Sequence, residues 1–285
     1  MTLVLGASAR RSFGRIRAPQ NRGRSRPPVS FVPTPWSGRK YFLDKMSLRD
    51  LVWAYVTYPA IQIYALLAAV GLGLAAYWRA QGSAGPLGLL AAVAATLLIY
   101  PLVWYLLHRW ALHGRVLYRF PQTAALWKRI HFDHHQDPND LGVLFGALYT
   151  TLPTILAVTL PIGWLIGGPG AAALAAATGL ATTCFYEFCH CIQHLPFTPR
   201  LEWLRRIKRY HLAHHFHSER GNYGITNYFW DRVFGTFYAE PKGFARSETV
   251  FNLGYTDAES GRFPWVARLS GLSPGSPVGR RGRAE

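Results

Sequence analysis

Residues 141–186 read LGVLFGALYTTLPTILAVTLPIGWLIGGPGAAALAAATGLATTCFY, forty-six residues without a charge. A buried helix of a water-soluble domain usually gives an apolar run of about 10–14 residues, whereas a bilayer crossing needs roughly 20. The stretch therefore holds two crossings, with the turn at Gly167-Gly168-Pro169-Gly170. A second run, residues 51–107, carries one charge, Arg79, in 57 residues. As one helix it would reach roughly 85 Å, far more than a bilayer needs. It breaks at the turn-rich stretch Arg79–Pro86. The expected spans are about Leu51–Tyr77, Leu87–Leu107, Val143–Ile166 and Ala171–Tyr186, the last continuing as helix toward His194. Pro101, Pro153 and Pro161 should kink theirs, which membrane helices tolerate. The pattern predicts an all-α integral membrane protein of about four transmembrane helices. It excludes a small soluble domain, a disulfide scaffold and a wholly disordered chain.

Charge orients these spans. The 285 residues include 31 Lys and Arg against 14 Asp and Glu, a net charge of +17, with the basic residues outside the apolar runs. Residues 1–40 hold eight Arg, one Lys and no acid. No nucleic-acid module accompanies them, so cytoplasmic flanks are the simpler reading and no nucleic-acid partner is expected. Arg109, Arg115, Arg119, Lys128 and Arg129 lie between spans two and three, and Arg200, Arg205, Arg206, Lys208 and Arg209 follow span four. Of the other two turns, the first carries one Arg, Arg79, and the Gly167–Gly170 turn carries no basic residue. Both termini and the middle segment are thus expected on the cytoplasmic side. Residues 1–45 read as a basic, mostly disordered extension, with a transit peptide or a misassigned start codon as alternatives. Residues 241–285 form a C-terminal segment expected to be disordered from about 270. Cys184, Cys189 and Cys191 form no CxxC pair and read as small buried apolar side chains rather than a zinc site.

All eleven histidines fall between positions 108 and 217, and ten form four clusters on that one side. His108 and His113 read H-x4-H; His131, His134 and His135 read H-x2-H-H. His190 and His194 read H-x3-H; His211, His214 and His215 read H-x2-H-H again. Offsets of three and four place imidazoles on one helix face, so each of the last three clusters is expected to aim as a group. The five-residue offset of His108 and His113 is different. It separates them by about 140° on a regular helix, so the helix must end or bulge there, or the two must serve different ions. A single His near a membrane surface is ordinarily an interfacial polar residue. Ten packed together without metal would leave nitrogens unpaired, or repelling one another once protonated. Ten nitrogens exceed the four to six ligands of one ion, so two ions are expected. Imidazole suits Fe, Zn, Cu and Ni alike, so the ligands alone do not name the metal. His217 is off the ligand face and reads as a residue behind the ligands or at the surface rather than a ligand. Glu187, three before His190, reads as an acceptor that orients a ligand imidazole, and Asp133 and Asp231 are candidates for the same task.

The order of these clusters, with apolar spans between them, resembles the membrane fatty acid hydroxylase/sterol desaturase superfamily. Tyr210–Phe216, Gly224-Ile225-Thr226 and Trp230–Thr236 resemble fatty acid 2-hydroxylases most, and Asn222-Tyr223-Gly224 before Trp230-Asp231 also occurs in the sterol branch. The likeness covers about Leu87 to Tyr238. It implies a membrane catalytic domain, here about residues 46–240, with a cytoplasmic helical cap holding a di-metal site. The ten clustered histidines would be the ligands of two iron ions, zinc being the alternative occupant. O2 would be co-substrate and a bilayer lipid the substrate. The activity implied is hydroxylation of a fatty acyl chain at C2, in a free or ceramide-type acyl group. A sterol or carotenoid hydroxylase or desaturase is the alternative. Some eukaryotic fatty acid 2-hydroxylases carry a fused cytochrome b5 domain. About fifty mostly basic residues precede the first span here, without a haem-binding signature, so a separate cytochrome b5- or ferredoxin-like donor is expected. A metal transporter would need ligands near the bilayer midplane, which the charge-free spans argue against. A b-type haem protein would not need H-x2-H-H.

Overall fold

The computed structural model describes residues 40–276 and 278–279. Most of the basic extension lies outside these residues. Its last part does not: Leu43 is fully buried, Leu43 N–H donates to Asn139 O at 2.8 Å, and Leu141 N–H donates to Tyr41 O at 2.9 Å. The folded body therefore begins by Tyr41, not after residue 45. Among the described residues every regular element is helical, with one isolated bridge between Phe42 and Asp140.

Helix α1, Leu48–Val56, opens on a capping box in which Ser47 and Asp50 satisfy each other's backbone amides. It ends at Thr57–Tyr58, because Pro59 has no amide to continue the ladder and instead starts α2, Pro59–Ala80. The span expected from Leu51 is thus two helices, a break the hydropathy pattern hid. A turn at Gln81–Gly85 leads to α3, Pro86–Leu106, again with proline in its first turn.

The charge-free stretch 141–186 and the residues after it form α7, Leu148–His194, folded back on itself at Gly167 and Gly168. Gly168 has φ 69° and ψ −156°, a region open essentially to glycine alone. The two arms lie against each other: a Cβ on Gly163 would stand 2.5 Å from the Ala171 carbonyl oxygen. Small residues allow that approach, as in membrane helix pairs generally. The first arm begins at Leu148, five residues later than expected, because Phe145–Ala147 is extended after the short α6, Leu141–Leu144. Helices α2 and α3 both pack on α7. Thr96, Thr154, Thr159, Thr178, Thr182 and Thr183 return their hydroxyls to the carbonyl four residues back at 2.7–2.9 Å, so the apolar helices bury few unpaired donors. Among the described residues three helical stretches are long and apolar enough to cross a membrane: Pro59–Ala80, Pro86–Arg119 and Leu141–His194.

The polar segments gather at one end of these helices. Between α3 and α6 come α4, Pro121–Trp127, and α5, Asp133–Gln136. After α7 come α8, Glu202–Phe216, and α9, Phe229–Val233, then α10, Asp257–Arg262, and α11, Trp265–Leu269. Tyr118, Trp127, Phe132, Tyr255 and Val266 form a second core here, which also holds Val278. The disorder expected from about residue 270 does not begin there. Leu272 N–H donates to Ala267 O, Gly275 N–H donates to Ser260 Oγ, and Gln136 Nε2 donates to Gly279 O. Burial of Val278 gives the Gly- and Ser-rich tail an anchor that composition does not reveal.

Candidate metal centre

Helix α3 does not end at Leu106 but widens into a π-helical turn, Leu107–Leu112, with His113 N–H donating to His108 O at 3.0 Å. A π-turn closes on the fifth residue, which brings the H-x4-H pair onto one face. Their Nε2 atoms lie 3.1 Å apart. A second π-turn, Lys128–Phe132, carries His131 and leads into α5 with His134 and His135. The end of α7 supplies His190 and His194. Helix α8 supplies His211, His214 and His215 from its buried face, with Arg205, Arg206 and Arg209 outside.

The ten imidazoles meet in two groups of five: His108, His113, His131, His135 and His214, and His134, His190, His194, His211 and His215. In each group one candidate ligand atom per residue lies within 4.8 Å of all the others. The expectation that each H-x2-H-H cluster aims as a group is overturned. Residues four apart stay together (131 with 135, 190 with 194, 211 with 215), while His134 and His214 go to the opposite group. Adjacent helical residues diverge by about 100°, so His134-His135 and His214-His215 each address two neighbouring centres.

The donor set fits metal ions. His131 Nε2 lies 2.8 Å from His113 Nε2, His134 Nε2 lies 3.1 Å from His190 Nε2, and His194 Nε2 lies 3.0 Å from His211 Nε2. Imidazole binds such ions at about 2.0–2.1 Å, so neighbouring ligands at a right angle stand roughly 2.9 Å apart. His135 Nε2, His214 Nε2 and both ring nitrogens of His215 are buried without a hydrogen-bond partner among the described residues. Each such orphan costs about 1–3 kcal/mol, a cost that coordination removes and a hydrogen-bonded core of histidines would not.

Burial, followed by neighbouring imidazoles, holds His131, His134, His135, His211 and His215 well below the ordinary histidine range. Burial brings His214 down to about 4, although its bond to the Gly221 carbonyl pulls the other way. All are neutral near pH 7, the protonation state a ligand needs.

Backbone carbonyls fix three of these rings. His108 Nδ1 lies 2.6 Å from Tyr223 O, His214 Nδ1 lies 2.7 Å from Gly221 O, and His135 Nδ1 lies 2.9 Å from Val250 O. Each carbonyl accepts the Nδ1 proton and leaves Nε2 bare. Asp231 works one step further out. Its carboxylate accepts from Tyr223 N–H at 2.7 Å, Gly224 N–H at 2.8 Å and Thr236 Oγ1 at 2.9 Å, so it holds the loop that presents the Tyr223 carbonyl. Burial raises the Asp231 carboxyl, against the three donors that lower it. Glu187 does not orient an imidazole: its Oε1 accepts from Gly146 N–H at 3.1 Å. Asp133 pairs with Lys128 at 2.7 Å, and His217 lies outside both groups with Nε2 2.6 Å from Phe244 O. The sequence reading missed Gly221, Tyr223 and Val250, which act through main-chain atoms. The Asn222-Tyr223-Gly224 motif was their one visible trace.

A narrow cavity of about 70 Å³ touches both groups, through His108 and His131 on one side and His134, His190, His211 and His215 on the other. Tyr100, Trp104, Tyr186 and Glu187 line it as well. Tyr100 and Trp104 also border an apolar cleft between α3 and the first arm of α7, lined by Ile99, Val103, Ile155, Val158 and Ile162. Tyr100 and Trp104 thus stand between the centre and the apolar cleft.

Residues 93–236 match the fatty acid hydroxylase family model. Over 146 residues the chain is 30% identical to the ceramide very long chain fatty acid hydroxylase SCS7 of Saccharomyces cerevisiae, covering 49% of this chain and 36% of that protein. Over 148 residues it is 32% identical to the dihydroceramide fatty acyl 2-hydroxylase FAH2 of Arabidopsis thaliana, covering 50% and 59%. The fatty acid 2-hydroxylase of Rattus norvegicus is 27% identical over 146 residues, with 50% and 38% covered. The matches thus span between about a third and three fifths of these relatives' lengths. The solved structure of full-length Scs7p, in which only the hydroxylase domain is visible, shares the fold at a TM-score of 0.50. It is 24% identical and covers 72% of this chain and 71% of that one. With its histidine clusters inside the matched region, the chain belongs to the fatty acid hydroxylase family.

Proposed function

We propose that this protein is an O2-dependent lipid hydroxylase with a histidine-ligated di-iron centre, acting on C2 of a fatty acyl chain in a free or ceramide-type lipid. The observation that carries this reading is the pair of five-histidine groups bordering one cavity beside apolar helices. The fatty acyl and ceramide hydroxylases it resembles support the substrate class.

His108, His113, His131, His135 and His214 would hold one iron, and His134, His190, His194, His211 and His215 the other. Bound iron, with O2 and two electrons from a separate cytochrome b5- or ferredoxin-like protein, supplies the oxidising chemistry that an unactivated C–H bond requires. The chain's own part is positioning and exclusion. Tyr100, Trp104 and Tyr186 wall the cavity, and Tyr100 donates to Thr183 Oγ1 at 3.0 Å, tying α3 to the second arm of α7. That wall limits water at the reacting carbon. An acyl chain lying along α3 keeps its tail among apolar side chains and its carbonyl end near the polar segments. Carbon 2 is one bond from the carbonyl, so a headgroup held at the mouth brings it to the cavity.

The topology in this reading is four crossings: α2, α3 and the two arms of α7. The metal centre and both termini face the cytoplasm, where the Arg- and Lys-rich segments lie. Residues from about Tyr41 to 240 form the catalytic unit, and the following segment reaches His135 through the Val250 carbonyl.

The test uses purified full-length protein loaded with iron in lipid nanodiscs, given dihydroceramide, O2 and a reduced donor. About two irons per chain and a 2-hydroxyacyl product are expected. A sterol or carotenoid product, or only a new double bond, overturns the acyl hydroxylase reading. A protein that binds no metal overturns the di-iron reading.

A further inference from the structure

The two histidine groups are held differently. In the group containing His108, three rings have Nδ1 tied to a main-chain carbonyl, those of Tyr223, Val250 and Gly221. In the group containing His134, the Nδ1 atoms of His134, His194, His211 and His215 are buried and have no hydrogen-bond partner among the described residues. An acceptor on the distal nitrogen fixes tautomer and ring angle, and its loss typically weakens metal binding 10–100-fold.

The three acceptors trace to one device, the segment after α8. Gly221 and Tyr223 lie within it, and Asn222 clamps Tyr238 through both side-chain polar atoms. Glu219, 5% exposed, extends the device to Val250. Its Oε1 accepts from Ser247 Oγ at 2.9 Å and from Thr249 Oγ1 at 2.6 Å, immediately before the carbonyl that meets His135. Among the described residues no comparable device reaches the other group, which nevertheless supplies four of the six histidines on the cavity wall.

We propose that the two metal sites are unequal by construction: the His108 group is a tight, pre-set site, and the His134 group is a readily exchanged site facing the cavity. Glu219 is a positioning residue for the tight site alone. This rests on the metal reading of the two groups.

The test follows iron leaving the purified, iron-loaded full chain after addition of a ferrous chelator. Wild-type protein, with no variant needed, should release iron in two phases of equal amplitude, with rates at least about 10-fold apart. His194→Ala should lack the fast phase and His108→Ala the slow one. Glu219→Ala should speed the slow phase about 10-fold or more and leave the fast phase unchanged, and Glu219→Gln, which keeps the Oε1 acceptor, should restore it. A merely structural role for Glu219 would change both phases alike. A single phase, a fast phase lost with His108→Ala, or equal acceleration of both phases overturns the inference. A wild-type protein that holds no iron fails the metal reading itself, and the inequality with it.

Discussion

At the scale of the residue, each histidine is defined by where its two nitrogens go. His214 belongs to one five-histidine group and lends Nδ1 to Gly221 O, whereas His217 reaches Phe244 O outside both groups. His214→Ala should therefore reduce turnover to background and bound iron from about two to about one per chain, while His217→Ala should keep both irons. Iron content and product formation measured on the same preparations separate the two cases. Full activity in His214→Ala would contradict the ligand assignment. Acid should act through the same rings. The unfolded chain binds a proton on histidine near 6.5, but folded His214 does so only near 4 and its buried neighbours lower than ordinary. The unfolded state thus takes up more protons as pH falls below about 6.5, and metal-free protein should lose stability progressively between there and about 4. Denaturant midpoints of metal-free protein at pH 7.5, 6 and 5 should fall in that order, and a flat or rising series would count against neutral buried imidazoles. Sequence offsets were enough to find the ten rings, since ligand type and spacing are local properties. The partners of those rings were hidden, because Gly221, Tyr223 and Val250 contribute carbonyls that every residue possesses.

At the scale of the element, two departures from regular helix make the site. The π-turn at Leu107–Leu112 converts a five-residue offset into a shared face. The offset itself left three readings, a helix end, a bulge or two different ions, of which the π-turn realises the bulge, whereas the π-turn at Lys128–Phe132 left no such mark in H-x2-H-H. The split of the H-x2-H-H clusters between groups was also hidden, because helix phase alone does not say that two centres lie side by side. The fold-back in α7 was legible at Gly167–Gly170, and it depends on Gly168. Gly168→Ala should cost about 1–3 kcal/mol, read as a lower denaturant midpoint in detergent. An unchanged midpoint would mean that the arms are joined with other backbone angles. The break at Pro59 was missed, because hydropathy is continuous across it and only the lost amide ends α1. The proposed four-crossing topology makes its own prediction. A reporter placed after Gly82 should read as exterior and one at Asp137 as interior, and the reverse pattern would invert the arrangement.

At the scale of the whole molecule, the apolar helices and the polar segments meet at the histidine cavity. The apolar class, the helical content and the location of the site could all be read from charge-free runs and histidine order. The burial of Val278 in the second core and the hydrogen bond from Gln136 to Gly279 could not, since each rests on a single contact. The central claim is that this arrangement places one oxygen atom on carbon 2 of an acyl chain. Its most direct test is lipid analysis of cells expressing the wild-type protein or His214→Ala, grown under isotopically labelled O2. The account predicts one labelled oxygen at carbon 2 of ceramide-type or free acyl chains in the wild-type cells and none in the variant. A labelled sterol or carotenoid, a new double bond without labelled oxygen, or the same labelled acyl product in both strains would contradict it.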